Sequence, residues 1–431
     1  MIGVALALVA TPLAGYALAR PAVSSLPRSE RFAWSLAVGL MVQALLVLAS
    51  IGARPGADFS LALSLLTVLL LLPLLPRRAA RLAAPEFLRL GPAARVLCAP
   101  AAVGVALFAV AALSEPMWTT DYLAVWGLKA KTIFLTASLP GRLFHDPAIV
   151  WSHPEYPLLV PLDLAALAAW ARRWDDRALA ALYPLCQAAT AAAAFGFLVR
   201  RGRALGGAVA AALIGWFFPL YAPVHVGMAD IPLAFGFVLL CIAFLDALEA
   251  DSPAVYARLA IASLFCAATK PEGALFGALA ALFWLVLRPR GRSWSPPFLA
   301  LLLPSVVHGV LLRWARGSLP SRDFDFTLLA PSRWAAWLGR IGETLARITS
   351  VELAAAALPL AALAIFFFAT DSGLADRLLP LLGLQLAFYV LTCSLSAFGV
   401  AWLVGTSFGR IVCALVPALA VVVGARLRPR T

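Results

Sequence analysis

The chain has 431 residues, of which 63% are hydrophobic and only 13% are charged, and its mean hydropathy is +0.93. Soluble domains carry about 25% charged residues, so this composition excludes an ordinary soluble enzyme and indicates a polytopic membrane protein. The formal net charge of +13 comes from 34 basic and 21 acidic residues. In a membrane protein such an excess holds loops at the cytoplasmic side, and it is not evidence of nucleic-acid binding.

The cysteines stand singly in apolar segments, and no CxxC spacing occurs. This pattern predicts small packing residues, with neither a disulfide nor a zinc site. The first 19 residues end in Ala17-Leu18-Ala19, as a signal peptide can, but they lack a basic n-region and further apolar runs follow. We therefore expect a retained membrane span. The cysteines are Cys98, Cys186, Cys241, Cys266, Cys393 and Cys413.

Several apolar runs near the N-terminus are each long enough to cross a bilayer. Arginines cluster in the loops after the first and the third run, whereas the loop after the second holds only Arg54 and Asp58. Because basic loops stay in the cytoplasm, the N-terminus and the loop after the fourth run are predicted to face outside. The runs lie near 1–19, 33–52, 58–76 and 96–114.

The segment 158–170 (LLVPLDLAALAAW) is apolar but too short to span, and it contains Pro161 and Asp163. A stretch of this length is typical of a re-entrant or interfacial helix. If it does not span, the basic clusters at 200–203 and 288–292 both fall in the cytoplasm, as positive-inside counting requires. We therefore predict that 158–170 is re-entrant or interfacial.

Further apolar runs bring the predicted number of membrane spans to about thirteen. No internal repeat, heptad pattern or low-complexity linker occurs, so the sequence predicts one all-α membrane domain. Two long loops, 115–177 and 313–350, are left outside, and interfacial helices are expected in the first of them. The further runs lie near 178–199, 205–221, 231–248, 255–269, 272–287, 296–312, 351–369, 378–392 and 407–425.

The first outside loop, from Glu115 to Pro161, gathers ionisable side chains beside aromatic rings. Aromatic rings sit well at a membrane–water interface, where one end is wet and the other apolar. A hydrophobic protein that keeps ionisable groups in one interfacial loop is expected to do its chemistry there. The ionisable residues are Asp121, Lys129, Lys131, His145, Asp146, His153 and Glu155, and the aromatic ones are Trp118, Tyr122, Trp126, Trp151 and Tyr156.

Polar residues elsewhere are predicted on the same outside face. These residues and those of the first loop also have ordinary structural explanations: the aspartates can cap helices, and Lys129 and Lys131 of the first loop can be interfacial anchors. Ionisable groups at membrane depth are nevertheless costly and indicate function. Arg410, bordered by apolar helix, is suited to bidentate phosphate binding. The residues on this face are His225, Asp230, Lys270, Glu272, Ser407 and Arg410.

Other chemistries lack their motifs in this chain. The sequence contains no GxxxxGK[ST] phosphate loop, no HExxH and no GxSxG, and its four histidines are scattered. An internally duplicated transporter is expected to show matching halves with paired broken helices, and none is found.

The polar motifs follow one another in a definite order. A membrane helix leads into TTDYLAVWGLKAK and then HPEYPLLVP, followed by ADIPLAF, TKPEG and a late arginine before a terminal span. Together these motifs resemble those of bacterial glycosyltransferases of the GT-C superfamily. This order is similar to family 39, which includes protein O-mannosyltransferases and aminoarabinose transferases. The resemblance covers roughly residues 95–425, so 1–95 are interpreted as additional transmembrane helices and 96–431 as the catalytic domain.

The resemblance implies an inverting glycosyltransferase that takes a sugar from a polyprenyl-phosphate donor at the outer face of the inner or plasma membrane. The acceptor is a hydroxyl of a glycan, lipid or protein. Asp121 matches the family's base, although better-known members carry Asp-Glu where this chain has Asp121-Tyr122. Neither a cofactor nor a metal is expected, because basic side chains can neutralise the leaving phosphate. The expected substrate-binding residues are Lys129, Lys131, His153, Glu155, Tyr156, Asp230, Lys270, Glu272 and Arg410.

Two other classes of protein stay open. A transporter or lipid-handling protein would use the same residues to line a polar path, and a scaffold would show no convergent cavity. Convergence of Asp121, Lys270 and Arg410 in one cavity favours the transferase, whereas polar residues that cross the membrane midplane favour transport.

Overall fold

The computed structural model describes residues 2–53, 59, 90–139, 141, 146–221, 226–316, 323–351 and 373–427. Within these residues the expected all-α class is confirmed, since helices form every regular element and the only strand-like pairing is an isolated bridge between Phe324 and Ser396. The expected runs 58–76 and 351–369 lie almost entirely outside the described residues, as do His145 and His225. The count of about thirteen spans therefore stays a prediction.

Most of the helices of eight residues or more follow the apolar runs of the sequence. In chain order they are α1 (Ile2–Val23), α2 (Arg28–Ala53), α3 (Pro92–Ser114), α4 (Gly127–Thr136), α5 (Leu159–Ala171), α6 (Leu182–Arg200), α7 (Ala204–Tyr221), α8 (Asp230–Glu249), α9 (Pro253–Thr269), α10 (Pro271–Leu287), α11 (Ser295–Arg316), α12 (Trp334–Val351), α13 (Leu378–Ser394) and α14 (Val416–Arg426).

Five of the described segments are long and apolar enough to cross a membrane. They are α1, α2, α3, α8 and the segment Asp176–Arg200, which ends with α6. A sixth arises if the bent pair Val400–Cys413 and Val416–Arg426 counts as one span. Several shorter apolar helices of 10–17 residues accompany them. These helices make the chain compatible with a membrane protein.

Helix α8 lies at the centre of the bundle. It is apolar around its whole circumference, and all its residues from Asp230 to Leu248 are buried. A helix of this kind must be enclosed by neighbours, and α8 packs against α6, α9 and α14. Nearby helices approach through small residues: a side chain at Gly206 would strike the backbone of Gly424 in α14. Such close backbone contacts are typical of helix packing in membranes.

The two N-terminal helices are held in the same bundle by buried polar contacts. The Thr11 hydroxyl of α1 donates to Gln43 Oε1 of α2 at 2.9 Å, and Gln43 Nε2 donates to Asp163 Oδ1 of α5 at 3.3 Å. In apolar surroundings such bonds satisfy groups that would otherwise be costly to bury. The contacts therefore fix the register of α1 and α2 against the later helices.

The two ends of the loop 115–177 meet. Pro116 and the segment 173–177 line one cavity of about 430 Å³, and the Tyr122 hydroxyl donates to Asp176. Between these ends, α5 has 13 residues, a length of about 20 Å, which is shorter than a hydrocarbon core of about 30 Å. Both observations support the prediction that 158–170 is re-entrant or interfacial and does not cross the membrane.

We expect residues 138 and 204 to lie on opposite sides of the membrane. In a cysteine-free background, Ser138→Cys and Ala204→Cys are labelled in intact cells with a membrane-impermeant maleimide, and only Ser138→Cys should react. Positive-inside counting is the reason, because Ala204 follows the basic cluster 200–203. Permeabilised cells, in which both positions should react, provide the control. Labelling of both positions in intact cells would contradict the topology.

The last apolar segment differs from the single helix expected at 407–425. Helix begins at Val400, passes through a π-helical turn at Val404–Phe408 and bends by 42° before α14. Arg410 therefore lies inside a broken helix, whereas the sequence predicted that Ser407 and Arg410 begin the last helix. Pro417, in the first turn of α14, lacks the N–H that a continuous helix needs, which accounts for the bend. Turns of π-helix are frequent at functional sites.

Candidate active site

A chain of ion pairs joins five of the predicted site residues. Arg410 Nη1 contacts Asp121 Oδ2 at 2.5 Å, and Arg410 Nε lies 3.5 Å from Asp230 Oδ2. Lys270 Nζ lies 2.9 Å from Asp230 Oδ1 and 3.1 Å from Glu272 Oε1. The structure therefore brings together carboxylates and cations from four distant parts of the sequence. We call this set of five residues the charge chain.

Helix ends position the members of the charge chain. Asp230 is the first residue of α8, where the helix dipole stabilises a carboxylate. Lys270 is extended (φ −160°, ψ 151°) and is the single residue between α9 and α10. Pro271 then begins α10 and places Glu272 in its first turn. Asp121 directly precedes the π-helical turn Tyr122–Trp126.

Exposure increases along the charge chain toward Asp121. The side chains of Asp230 and Lys270 are 3% and 4% exposed, whereas that of Asp121 is 32% exposed. Buried charges of this kind must stay paired, because removing one partner leaves an uncompensated ion. Arg410 Nε and Glu272 Oε2 are buried and have no hydrogen-bond partner among the described residues. A substrate can therefore reach the charge chain at Asp121. Arg410 has an N–H group that is available to donate a further hydrogen bond.

A second cluster forms around His153. Its Nδ1 atom lies 3.2 Å from Glu155 Oε1 and 3.0 Å from Asp323 Oδ2. Tyr156 stacks on the imidazole with ring centroids 4.5 Å apart, and Trp126 stacks on Tyr156 at 5.3 Å. Burial lowers the pKa of His153, but hydrogen bonds with Asp323 and Glu155 outweigh it and raise this pKa to about 9. The imidazole therefore serves as a cation between two carboxylates.

Asp323 is a site residue that the sequence analysis missed. It belongs to the second long loop, more than 150 residues after His153, and only the fold brings the two together. The contact also shows that the two long loops predicted outside lie against one another. The same loop contains Asp325 and Glu343, so the sequence did not distinguish Asp323 from other acidic residues.

Tyr156 borders both groups of charges. Burial raises its pKa, and the carboxylates of Glu272 and Asp121 on one side and of Asp323 and Glu155 on the other add to the effect. A phenol in this position stays protonated and can donate a hydrogen bond to an anion. The charge chain and the His153 cluster are therefore two parts of one site.

The two lysines of the first loop have different surroundings. Lys129 is fully buried, and its Nζ atom donates to the carbonyl of His153 at 2.5 Å, 5.9 Å from the Tyr156 ring centroid. Burial lowers the pKa of Lys129 to about 7, against an opposing effect of the Glu155 charge. Lys131 is exposed and pairs with no described residue. The structure therefore brings Lys129 to the site and leaves Lys131 outside it.

Lys129 should make the protein more stable as the pH rises. Below about pH 7 the buried ammonium is charged in the folded state, whereas between about 7 and 10.5 only the unfolded chain holds the proton. Stability therefore rises through that window. We expect Lys129→Met to lack this rise. The melting temperature of the wild type minus that of Lys129→Met should therefore increase by roughly 2 °C or more between pH 7 and pH 10.

The exposed Lys131 offers a matched control for that experiment. Lys131→Met should follow the wild type at every pH, since its ammonium is solvated in both states. The opposing titration of His153 is common to all three proteins and cancels in the comparison. A melting-temperature difference between wild type and Lys129→Met that is independent of pH would contradict the prediction.

Tyr122 takes no part in the charge chain. Its ring is buried and its hydroxyl donates to Asp176, so its side chain connects the two ends of the loop 115–177. Gly227 has φ +97°, and a side chain there would lie 2.8 Å from Tyr122 Cβ. Glycine at this position allows the turn before α8 to pack on Tyr122. The same turn carries Met228, whose sulfur lies 3.1 Å from Arg410 Nη1.

The opposite end of α8 carries a separate network of buried charges. Asp246 pairs with Arg200 at 2.6 Å and with Arg258 at 3.1 Å, and Arg200 also pairs with Glu30 at 2.8 Å. Between Asp230 and Asp246 the helix is apolar for about 24 Å. Along α8 the two charged regions are therefore separated.

Comparisons of the chain with protein-family models, with curated proteins and with solved structures found no match. The similarity to GT-C glycosyltransferases therefore depends on the short motifs around Asp121, His153, Asp230, Lys270 and Arg410.

Proposed function

We propose that the chain is an inverting membrane glycosyltransferase that moves a sugar from a polyprenyl phosphate to an acceptor hydroxyl. The observation that carries this proposal is the charge chain, in which the partly exposed carboxylate of Asp121 lies 2.5 Å from the guanidinium of Arg410. A base and a phosphate-binding cation are the two groups that the transfer requires. The GT-C-like motifs, which supply these same residues, point to the outer face of the inner or plasma membrane.

In the proposed reaction Asp121 accepts the proton of the acceptor hydroxyl. The hydroxyl oxygen forms a bond to the anomeric carbon on the face opposite the phosphate, and the bond between that carbon and the phosphate oxygen breaks. The electron pair leaves with the polyprenyl phosphate, so the anomeric configuration inverts. Arg410 and Lys270 stabilise the charge that develops on the phosphate. No step requires an oxidant or a reductant, because the donor and the acceptor together supply every atom of the products.

The ion pair between Asp121 and Arg410 provides an order of events. In the structure Arg410 neutralises the carboxylate. A donor phosphate competes for the same guanidinium, and its binding releases Asp121 to act as a base. Asp230 stays paired with Lys270 throughout and holds that cation in place. Proton transfer thus follows donor binding.

The other predicted residues that the structure brings to the site lie around the proposed reacting groups, whereas Lys131 does not take part. Tyr156 faces both charged groups, and Lys129 supports the turn that carries it by donating to the His153 carbonyl. Glu155 orients the imidazole of His153, and Glu272 adds a second carboxylate to Lys270. These contacts fix the first loop against the ends of α8 and α10.

The separation of charges along α8 favours a transferase over a transporter. A transporter that used this helix would need polar groups near its middle, and Ile231–Leu245 supplies none. The charged residues of the site gather instead at one end of the bundle.

The proposal is tested by comparing lipid-linked sugars and envelope glycans in cells with and without the protein. Loss of the protein should cause one polyprenyl-linked sugar to accumulate and one glycan modification to disappear, and the wild-type gene should reverse both changes. Unchanged lipid-linked sugars and unchanged glycans would refute the proposal. A changed distribution of an intact lipid-linked sugar between the two membrane leaflets would indicate transport instead.

A further inference from the structure

We propose that His153, Glu155 and Asp323 form a binding site for a divalent transition-metal cation of the zinc type. One ligand atom from each residue lies within 4.8 Å of the other two. The three residues come from the two long loops, so a bound ion would join those loops. None of the three ligands is a member of the charge chain, and binding of the ion does not depend on the proposed transfer reaction.

The distances between the ligand atoms suit a metal. In a tetrahedral zinc site with bonds of about 2.1 Å, neighbouring ligand atoms are about 3.4 Å apart. Nδ1 of His153 lies 3.2 Å from Glu155 Oε1 and 3.0 Å from Asp323 Oδ2. Small outward movements of two side chains would therefore admit a cation in place of the Nδ1 proton.

The charges also favour a cation over a proton. Both carboxylates converge on the same nitrogen, which carries at most one hydrogen and cannot donate well to two acceptors. A single imidazolium neutralises one of the two negative charges. A divalent ion neutralises both and lets the neutral imidazole act as a ligand.

The donor set selects the kind of metal. One imidazole nitrogen with two carboxylate oxygens suits zinc and its first-row neighbours, whereas calcium and magnesium prefer oxygen ligands alone. The three side chains are 20–25% exposed, so an ion and a water molecule can reach the site. Three protein ligands with one open position are typical of zinc sites that bind water or substrate.

The surroundings hold the ligands in place. Tyr156 stacks on the imidazole at 4.5 Å, and Lys129 fixes the backbone of His153 through its carbonyl. His153 has φ +51°, a conformation that non-glycine residues adopt seldom. Second-shell support of this kind orients metal ligands. The ion would then act as a positioning element that fixes the second loop beside Tyr156.

The experiment uses the full-length protein in nanodiscs, stripped with EDTA and titrated with Co²⁺ as a spectroscopic probe of zinc sites. We expect one Co²⁺ per chain, with visible d–d absorption, and its displacement by Zn²⁺. His153→Gln and Asp323→Asn should each weaken binding by about 100-fold or more, since loss of second-shell partners alone costs about 10–100-fold. Glu155→Gln is the alternative variant if either of these fails to fold.

Asp325 offers a matched control in the same loop. Its carboxylate accepts a hydrogen bond from the Thr327 backbone at 3.1 Å and pairs with Arg333, away from the imidazole. Asp325→Asn should bind Co²⁺ like the wild type. Equal Co²⁺ affinity in the wild type and in folded His153→Gln would overturn the proposal. His153 of the wild type would then be an imidazolium ion that pairs with two carboxylates and binds no metal. The titration contains neither donor nor acceptor, so its result is independent of the proposed transferase activity.

Discussion

Asp121→Asn is expected to lower sugar transfer by about 10²–10⁴-fold, the usual contribution of general base catalysis. The amide keeps the shape of the side chain but cannot accept a proton at neutral pH. Folding and donor binding should be retained, because Arg410 still has Asp230 beside it and Asp121 is the most exposed member of the charge chain. The measurement is transfer by purified protein in nanodiscs, with binding of the polyprenyl-phosphate donor measured in parallel.

Asp146→Asn is the control for that experiment. Asp146 lies in the same loop, and among the described residues its carboxylate accepts one hydrogen bond, from the Ala148 backbone at 2.9 Å. Its replacement should change turnover little. Near-normal turnover in Asp121→Asn would show that Asp121 is not the base, and Glu155 and Asp230 would be tested next. Loss of donor binding together with turnover would assign Asp121 a structural role.

Arg410→Ala is expected to weaken donor binding by roughly 30- to 4,000-fold, which corresponds to about 2–5 kcal/mol for a buried charged partner. The guanidinium lies between Asp121 and Asp230, and its buried Nε donor has no hydrogen bond to any residue that the structure describes, so it can form further bonds to a phosphate. Arg410→Lys should weaken binding by about tenfold or more, since the charge stays but the planar fork is lost. The measurement is equilibrium binding of polyprenyl phosphate.

Arg426→Lys is the matched control for Arg410. Arg426 ends the same broken helix and pairs with Asp376 at 2.7 Å, so its replacement tests the general effect of an arginine-to-lysine change in this segment. Donor affinity should stay at the wild-type value. Unchanged affinity in folded Arg410→Ala would rule out a phosphate-binding role for Arg410.

Sequence reasoning identified the members of the charge chain because each was chemically unusual where it stood. Asp230, Lys270 and Arg410 interrupt apolar segments, and carrying a charge there is costly. Their pairing could not be derived from the sequence, since Asp121 and Arg410 are 289 residues apart. Asp323 lacked this signal, because it lies in a loop where an acidic residue is ordinary.

Lys129 and Lys131 show a second limit of the sequence. Both stand in the same short helix and neither is chemically distinguished from the other. Residues two positions apart on an α-helix point about 200° apart, so only one of the two can face the core. The fold buries Lys129 against His153 and leaves Lys131 in solvent. Which of the two faces inward depends on how α4 packs against α5.

By itself the sequence determined the all-α class and most of the long apolar helices that the structure describes. Composition and apolar run length suffice for these, because burying backbone polar groups in an apolar medium requires helices of a minimum length. Only the tertiary structure decided which helix is central. Helices α3 and α8 are both apolar enough to cross a membrane, yet 22% of the apolar stretch of α3 is buried in the protein and 100% of that of α8. The hydropathy of a helix shows that it is excluded from water. Whether it then contacts lipid or other helices depends on the packing of the tertiary structure.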